Sequence, residues 1–178
     1  MSPPQRKALF NQQNVPAGGV CLSSFVIVKN NKKVLVGKMN KPEVWIEKFF
    51  VGERFAPTYY SSGRYMLPAR HLAWYESPLD AARSILCDQL TLSVPTRDIT
   101  LLDVQSHVRG DVDSVEHPAH WDICFVYEVK VSSRVAQKIR TPPWFKELHF
   151  VPLSSISVGD FTRDHGDILQ EAGLFPKS

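Results

Sequence analysis

The sequence predicts a mixed α/β domain of the α+β kind, organised around a single hydrophobic core. Its 178 residues are 43% hydrophobic and 11% aromatic, which is enough apolar material for one core. Short runs of β-branched and aromatic residues lie on both sides of one strong helix signal, and a second helix signal lies near the end. Several strands with few helices favour a sheet packed against helices, in a single domain spanning 18–178.

The residues that precede this domain have a different composition. Residues 1–17 contain Pro3, Pro4 and Pro16 together with several Gln and Asn. Because such a stretch offers little apolar surface to bury, we expect a loose N-terminal arm.

The first part of the domain predicts a hairpin followed by shorter elements. Residues 20–30 and 32–39 are β-rich runs separated by an asparagine-containing turn. The run 44–55 predicts a further strand, and the composition of 56–64 predicts a loop. Residues 65–69 predict a short strand that ends at a proline.

The strongest helix signal begins at Ser77. This serine is a predicted N-cap, Pro78 occupies the first helical position, and Asp80 stands three residues after the cap. Thr91 and Pro95 bracket the end of the helix. Four apolar residues recur at helical spacing and predict the buried face of this helix: Leu79, Ala82, Leu86 and Leu90.

The second half of the chain predicts three strands and a final helix. Residues 98–108 and 121–131 predict two strands, and the polar run between them predicts a loop. A late strand is predicted at 147–156. The last helix is predicted at 162–174, where Gly173 stops it.

Composition also indicates which classes of ligand, cysteine chemistry and cellular location to expect. The formal charge of +3 is spread along the chain, which suits an anionic small ligand and supports nucleic-acid binding only weakly. The three cysteines are far apart, so a disulfide framework or a thiolate zinc site is not expected. The sequence shows neither a secretory signal nor a run of ~18 apolar residues that could span a membrane. We therefore expect a cytoplasmic protein.

Residues 70–92 resemble the Nudix box, the loop–helix motif of the Nudix hydrolase superfamily, whose pattern is G-x5-E-x7-R-E-U-x-E-E-x-G-U with U a bulky aliphatic. Glu76 matches the first glutamate, and Leu86 and Leu92 match the aliphatic positions. Asp88 is a conservative match to a glutamate. Residues 144–156 are similar to the segment that often precedes the last Nudix helix. The resemblance implies the Nudix fold, a mixed β-sheet packed between helices.

The box is degenerate at five positions: Arg70, Ser84, Ile85, Gln89 and Thr91. These residues replace, in order, the first glycine, the arginine, the glutamate that follows it, the second glutamate of the E-E pair and the last glycine. In the family the glutamates bind divalent metal, because hydrolysis of a pyrophosphate uses hard cations that prefer oxygen ligands. Positions 85, 88 and 89 share one face of an α-helix. We expect Ile85 to point into the cleft where metal would lie, leaving one carboxylate, that of Asp88.

The resemblance implies two sets of site residues. Glu76 and Asp88 are candidate catalytic residues if the protein is active, and Asp88 is then the candidate ligand of Mg²⁺ or Mn²⁺. Otherwise no metal is expected, and no cofactor is certain. Arg70, His71 and Gln89 are candidate ligand-binding residues. Arg70 could hold a phosphate in place of the missing cation, or be a solvated loop residue, and His71 could instead pack the loop.

Residues outside the box offer weaker candidates. The stretch 107–122 could supply a metal site or a catalytic acid or base, although such loops are usually solvated; its candidates are His107, Asp111, Asp113, Glu116, His117, His120 and Asp122. Asp164, His165 and Asp167 favour capping of the last helix. Six aromatic residues could stack a base, although most aromatics of a small domain are core: Trp45, Phe49, Tyr59, Tyr60, Trp74 and Trp121.

Two functions remain open from the sequence. The first is a Nudix-fold protein impaired in pyrophosphate hydrolysis that binds a nucleotide-like or other phosphorylated ligand, or a partner. The alternative is a divergent Nudix hydrolase that cleaves a nucleoside diphosphate-linked substrate, with divalent metal held by Asp88, Glu76 and the 111–122 loop. The resemblance also allows a homodimer.

Overall fold

The computed structural model describes residues 15–49, 56–109, 119–162 and 165–175. Within them the strands are β1 Val20–Asn30, β2 Lys33–Met39, β3 Ala69–His71, β4 Ile99–Arg109, β5 His120–Lys130 and β6 Phe145–Pro152. The α-helices are α1 Pro42–Phe49, α2 Ala56–Ser62, α3 Pro78–Ser84, α4 Ser133–Ala136 and α5 His165–Glu171.

The strands form one mixed sheet in the order β4-β5-β1-β2-β6, and β3 pairs with β1 beside this path. The parallel pair is β1 with β5, whose register runs from Val20 opposite Trp121 to Lys29 opposite Lys130. The other pairs are antiparallel. β1 is thus the central strand, and it contacts the start of the box through β3.

The predicted hairpin of β1 and β2 is confirmed. Lys29 lies opposite Val34, and Asn30 lies opposite Lys33. Asn31 in the turn has a φ of +56°. Asparagine tolerates this left-handed conformation better than most residues, which explains the asparagine at a two-residue connection.

Helices cover both faces of the sheet. On one face, buried residues of α1 and of the segment 82–90 pack with Val26 and Val28 of β1. On the other face, Ile168 and Leu169 of α5 pack with Ile27 of β1 and Val126 of β5. The expected Nudix arrangement, a mixed sheet between helices, is confirmed, as are the predicted strands β4, β5 and β6 and the final helix.

Two predictions in the segment 44–64 are wrong. The run predicted as a strand forms α1 up to Phe49, and 50–55 lie outside the described residues. Trp45 and Phe49, one helical turn apart, are both buried, with ring centroids 4.9 Å apart. The predicted loop contains α2. Packing of two aromatics on one helix face therefore outweighed the β-branched residues around them.

The remaining predictions are met in part. In the predicted strand 65–69, Tyr65 and Met66 form isolated bridges, and the paired strand β3 lies slightly later. Most of the predicted N-terminal arm lies outside the described residues, and Val15, within its last part, is buried. In the described part of the chain, no helix is long and apolar enough to cross a membrane.

Candidate functional site

The helix of the box begins as the sequence predicts. The Ser77 hydroxyl accepts a hydrogen bond from the Asp80 N–H at 3.1 Å, and Pro78 follows the cap. The Ser24 hydroxyl of β1 donates to the Pro78 carbonyl at 2.9 Å. Capping fixes the first turn, and the bond from Ser24 fixes that turn on the sheet.

The helix changes form where the family places its metal ligands. After α3, residues Ile85–Gln89 form a π-helical turn, in which the Leu90 N–H donates to the Ile85 carbonyl at 3.2 Å. Thr91 then adopts a φ of +52°, and the segment ends. A π-turn is wider than an α-turn and changes which side chains share a face, and such turns are frequent at functional sites.

The prediction that Ile85 points into a cleft is wrong. Its exposed fraction is 0%, and it belongs to the core cluster that also contains Leu86 and Leu90. In the position that the pattern gives to a glutamate, the chain therefore has a core side chain.

Gln89 lies in a second buried position of the same turn. Its exposed fraction is 0%, and its Nε2 donates to the Ala69 carbonyl at 2.9 Å. Among the described residues its Oε1 has no hydrogen-bond partner. The Gln89 carbonyl accepts a hydrogen bond from Trp144 Nε1 at 2.9 Å. An amide N–H is a donor and does not ligate a cation. The Gln89 group that faces the Ala69 carbonyl is therefore not a metal ligand.

Asp88 is the carboxylate of the π-turn. It is half-buried and lines an open groove of about 480 Å³ beside the helix. Arg83 and the exposed Cys87 of the helix, and Trp74 and Tyr75 of the preceding loop, also line this groove. Trp74 and Tyr75 are exposed, and their ring centroids lie 6.2 Å apart. The sequence had suggested Trp74 as a stacking residue but gave no signal for Tyr75.

Glu76 and Arg70 form a buried ion pair. Their side chains are 7% and 3% exposed, and Arg70 Nη2 donates to Glu76 Oε2. The Ala73 N–H donates to the same oxygen at 2.9 Å, and the Ser84 hydroxyl donates to Oε1 at 3.4 Å. The carboxylate thus receives a guanidinium from position 70 and a hydroxyl from position 84, where the box pattern has glycine and arginine.

The ligand-binding role of Arg70, His71 and Gln89 stays a prediction. Arg70 and Gln89 are buried in the interactions described above. His71 is half-buried in β3, opposite Ser23 of β1. All three residues belong to the box. Of the two buried ones, Arg70 pairs with Glu76, and Gln89 donates to the Ala69 carbonyl.

Asp122, a described member of the acidic and histidine stretch 107–122, does not join the box. Asp122 accepts hydrogen bonds from Ser23 Oγ at 3.0 Å and from Cys21 Sγ at 3.3 Å. Since side chains alternate along a strand, Asp122 lies on the same face as Cys124 and Val126, which pack on the α5 side. Asp122 therefore points away from Asp88.

Other members of these clusters have structural contacts or lie outside the described residues. His107 Nδ1 lies 3.6 Å from Glu171 Oε1, and His165 Nδ1 accepts a hydrogen bond from the Leu67 N–H at 2.9 Å. Five members of these two clusters lie outside the described ranges: Asp111, Asp113, Glu116, His117 and Asp164. Of the six suggested stacking residues, Trp45 and Phe49 are core, whereas Trp74 and Trp121 are exposed.

The donor set around the π-turn does not fit the metal that the Nudix pattern implies. In the described ranges, no group of three or more His, Cys, Asp or Glu side chains is placed to hold a metal ion. Asp88 offers one carboxylate, Gln89 presents an N–H to the Ala69 carbonyl, and Ile85 is in the core. Hard cations need several oxygen ligands, which these three positions do not supply.

Comparisons with solved structures assign the architecture. A MutT Nudix hydrolase from Burkholderia pseudomallei is 16% identical, with a TM-score of 0.55, covering 86% of this chain and 97% of that chain. The Nudix domain of Shewanella oneidensis NrtR, solved in complex with ADP ribose, is 16% identical, with a TM-score of 0.57, covering 93% of this chain and 92% of that one.

A third similar structure is a bifunctional NMN adenylyltransferase/ADP ribose pyrophosphatase from Francisella tularensis, solved with AMP and a manganese ion. It is 14% identical, with a TM-score of 0.57, and the match covers 89% of this chain and 44% of that protein. No protein-family model and no curated protein sequence matches the chain. The class of fold is therefore plain: this chain has the Nudix fold.

Proposed function

We propose that this protein is a Nudix-fold binding protein that does not hydrolyse pyrophosphate bonds. Its ligand is a nucleotide-like phosphorylated molecule, held in the groove beside the box helix. The observation that carries the proposal is the hydrogen bond from Gln89 Nε2 to the Ala69 carbonyl. This bond puts a neutral donor between the box helix and Ala69, where the box pattern has a glutamate. Ile85, on the same helical turn, is buried in the core.

Within the described part of the chain, Glu76, Asp122 and Asp88 do not replace the missing ligands. Glu76 is neutralised by Arg70, and Asp122 points to the other face of the sheet. Two other described carboxylates line the groove: Asp88, and Asp80, which accepts from the Ser77 hydroxyl and pairs with Arg83. Without a cation to neutralise the phosphates and position water, the main catalytic contribution of a metal-dependent pyrophosphohydrolase is absent.

The groove has features that suit a nucleotide-like ligand. Trp74 and Tyr75 expose two aromatic rings for a base. Arg83, which is exposed and lies 3.4 Å from Asp80 Oδ1, places a guanidinium on the same wall. Aromatic faces stack on bases, and a guanidinium forms charge-assisted hydrogen bonds with phosphate. Two similar structures were solved with ADP ribose or AMP.

The first test compares binding with turnover. ADP-ribose, AMP and ATP are incubated with the protein in EDTA and in Mg²⁺ or Mn²⁺, and both melting temperature and product are measured. We expect a ligand to raise the melting temperature in EDTA and no product to form. Metal-dependent turnover on the order of 10 per second, an ordinary enzyme rate, would instead support a divergent hydrolase.

Substitution Gln89→Glu tests the carrying observation directly. Its carboxylate would face the Ala69 carbonyl oxygen, so we expect a lower melting temperature at pH 7, recovered in part by Mn²⁺. The effect should diminish as pH falls, because a protonated glutamate can donate to the carbonyl; a folded-state pKa above the unfolded value gives this sign. Gln89→Met is the uncharged control and should show neither dependence. Equal melting temperatures of wild type and Gln89→Glu at every pH would contradict the proposal.

A further inference from the structure

Strand β4 forms an edge of the sheet. It has 11 residues and pairs with β5 on its inner side, and no other described strand lies beside it. The Val104 N–H donates to Asp103 Oδ1 at 2.9 Å, which places this N–H on the outer edge. An edge strand of this length presents a row of main-chain donors and acceptors to any second strand.

The same edge exposes apolar side chains. Val104 and Val108 are 51% and 68% exposed, and Trp121, opposite Val108 on β5, is 53% exposed. An apolar hollow of about 180 Å³ lies next to them, lined in part by Val108 and Trp121. Contiguous exposed apolar residues beside an unpaired edge are typical of an interaction surface.

The sequence of β4 indicates what this surface fits. Residues 103–109 read Asp-Val-Gln-Ser-His-Val-Arg. Around Ser106, each valine is mirrored by a valine, the amide of Gln105 by the imidazole of His107, and the acid at position 103 by the base at position 109. A strand with this symmetry is complementary to an antiparallel copy of itself.

We propose that β4 pairs antiparallel with the β4 of a second copy of this chain, with Ser106 on the twofold axis. Val104 then lies opposite the second copy's Val108, beside Trp121. Asp103 lies opposite the second copy's Arg109. The interface is isologous, as in most homodimers, and the sheet continues through both copies.

The hydrogen-bonding pattern agrees with this register. Neighbouring residues in a strand direct their main-chain groups to alternate sides, so Ser106 and Val108 share the outer edge with Val104. An antiparallel pair centred on Ser106 makes the positions 104, 106 and 108 the hydrogen-bonded ones. The main-chain groups that point outward are thus the groups that this register pairs.

Charge complementarity supports the second copy as the occupant. Asp103 at present accepts from the Val104 N–H and, at 3.0 Å, from Gln105 Nε2. In the dimer, Oδ1 exchanges the Val104 N–H for the second copy's Arg109, and Arg109 exchanges an interaction within its own chain for this ion pair. The bond from Gln105 stays. The symmetry makes this exchange twice. An unrelated partner strand has no reason to carry the reversed pattern of charges.

The first experiment measures the mass of the full chain in solution by light scattering. Wild type is expected at twice the chain mass, and the variant with Val104→Lys and Val108→Lys at the chain mass with an unchanged circular dichroism spectrum. The matched control is Tyr60→Lys, an exposed aromatic on α2, which should stay dimeric. A monomeric wild type, or a dimer that survives both lysines, would overturn the proposal.

Cross-linking tests the register. In a Cys87→Ser background, Ser106→Cys should form a covalent dimer on mild oxidation, because directly opposite residues have Cα atoms about 5.5 Å apart, within disulfide range. Thr100→Cys, exposed on the same strand but away from the axis, is the control. If the Thr100→Cys variant cross-links as fast as the Ser106→Cys variant, the register is wrong.

Charge exchange tests the pairing itself by native mass spectrometry. Asp103→Arg and Arg109→Asp should each lose the dimer, since each places like charges opposite one another. An equal mixture of the two variants should regain a dimer that contains one copy of each. Failure to form this mixed dimer, while the single variants are folded monomers, contradicts the charge pairing.

Discussion

At the residue scale, the ion pair of Arg70 and Glu76 shows how two departures from the box belong together. The carboxylate is buried, so it needs a positive partner to offset the loss of water around it. In the box pattern an arginine stands eight residues after this glutamate, at the position where this chain has Ser84. Arg70 reaches the same carboxylate from the other side, and the Ser84 hydroxyl donates to its second oxygen.

This arrangement predicts a rescue. Arg70→Ala leaves Glu76 buried without its guanidinium, so we expect a loss of about 3–5 kcal/mol in the free energy of unfolding. Adding Ser84→Arg should recover much of that loss, since it returns a guanidinium beside Glu76. Arg83→Ala removes an exposed arginine paired with Asp80 and should cost about 0–1 kcal/mol. Denaturant unfolding measures all three, and a neutral Arg70→Ala would contradict the buried pair.

The sequence shows the changes at positions 70 and 84, but it does not show that Arg70 and Ser84 both contact Glu76. The missing arginine and the additional arginine are visible at positions 84 and 70. The sequence left Arg70 as a phosphate ligand or a solvated loop residue. Which carboxylate it faces depends on the path of the loop from β3 to Ser77, and nothing in residue spacing reports that path. The same limit applies to Gln89, whose partner is a main-chain carbonyl.

At the element scale, Thr91 marks the end of the box helix. The pattern has glycine there, and the structure gives Thr91 a φ of +52°. A left-handed conformation costs an L-residue roughly 1–2 kcal/mol, and threonine is β-branched. The hydrogen bond from Thr91 Oγ1 to the Leu90 carbonyl, at 2.7 Å, offsets part of this strain.

We therefore expect Thr91→Gly to stabilise the protein by about 1 kcal/mol, the strain released less the extra freedom of glycine in the unfolded chain. The control, Thr100→Gly in β4, should instead destabilise it by about 0.5–1 kcal/mol, because glycine weakens a strand. The urea midpoints of the two variants should move in opposite directions. A lower midpoint for Thr91→Gly would show that the turn is unstrained.

Elements with strong local signals were predictable, and those set by packing were not. Ser77, Pro78 and Asp80 predicted the start of α3, and the asparagine turn predicted the first hairpin. The segment 44–49 was mispredicted because its β-branched residues suggest a strand, whereas Trp45 and Phe49 become buried together only on a helix. The π-turn at Ile85–Gln89 gave no signal at all. For this reason Ile85 was expected in a cleft and lies in the core.

At the scale of the whole molecule, the three cysteines differ sharply in their surroundings. Burial, together with the nearby Asp122 carboxylate, raises the pKa of Cys21 and of Cys124 well above the usual range for a thiol. Cys87 is exposed on the box helix. Since the thiolate is the nucleophile, Cys21 and Cys124 should be inert in the folded protein.

We expect a thiol reagent to modify Cys87 rapidly in the native protein and all three cysteines in denaturant. Cys87→Ser should abolish the rapid reaction. Peptide mapping by mass spectrometry identifies the modified residues. Fast native modification of Cys21 or Cys124 would mean that the centre of the sheet opens far more readily than its burial indicates.

The overall class of the fold was predictable because several independent signals agreed. The strand runs, the capped helix and the box pattern all indicated a mixed sheet with helices, and their agreement fixed the class despite the error in 44–64. The order of the strands could not be predicted in this way. Pairing between β1 and β5 joins residues about a hundred positions apart, and local patterns carry no information on that contact.

This parallel pairing has a consequence for how the chain folds. Cys21 and Asp122, neighbours across the pair, are separated by 101 positions in the sequence. Closing so long a loop has an entropic cost before any contact compensates it, which slows folding. During synthesis, β1 is made about a hundred residues before β5, so this pair forms only after the chain through Lys130 has been made. Until then β1 lacks its partner on that side, and apolar surface left exposed in this way makes a nascent chain prone to aggregation.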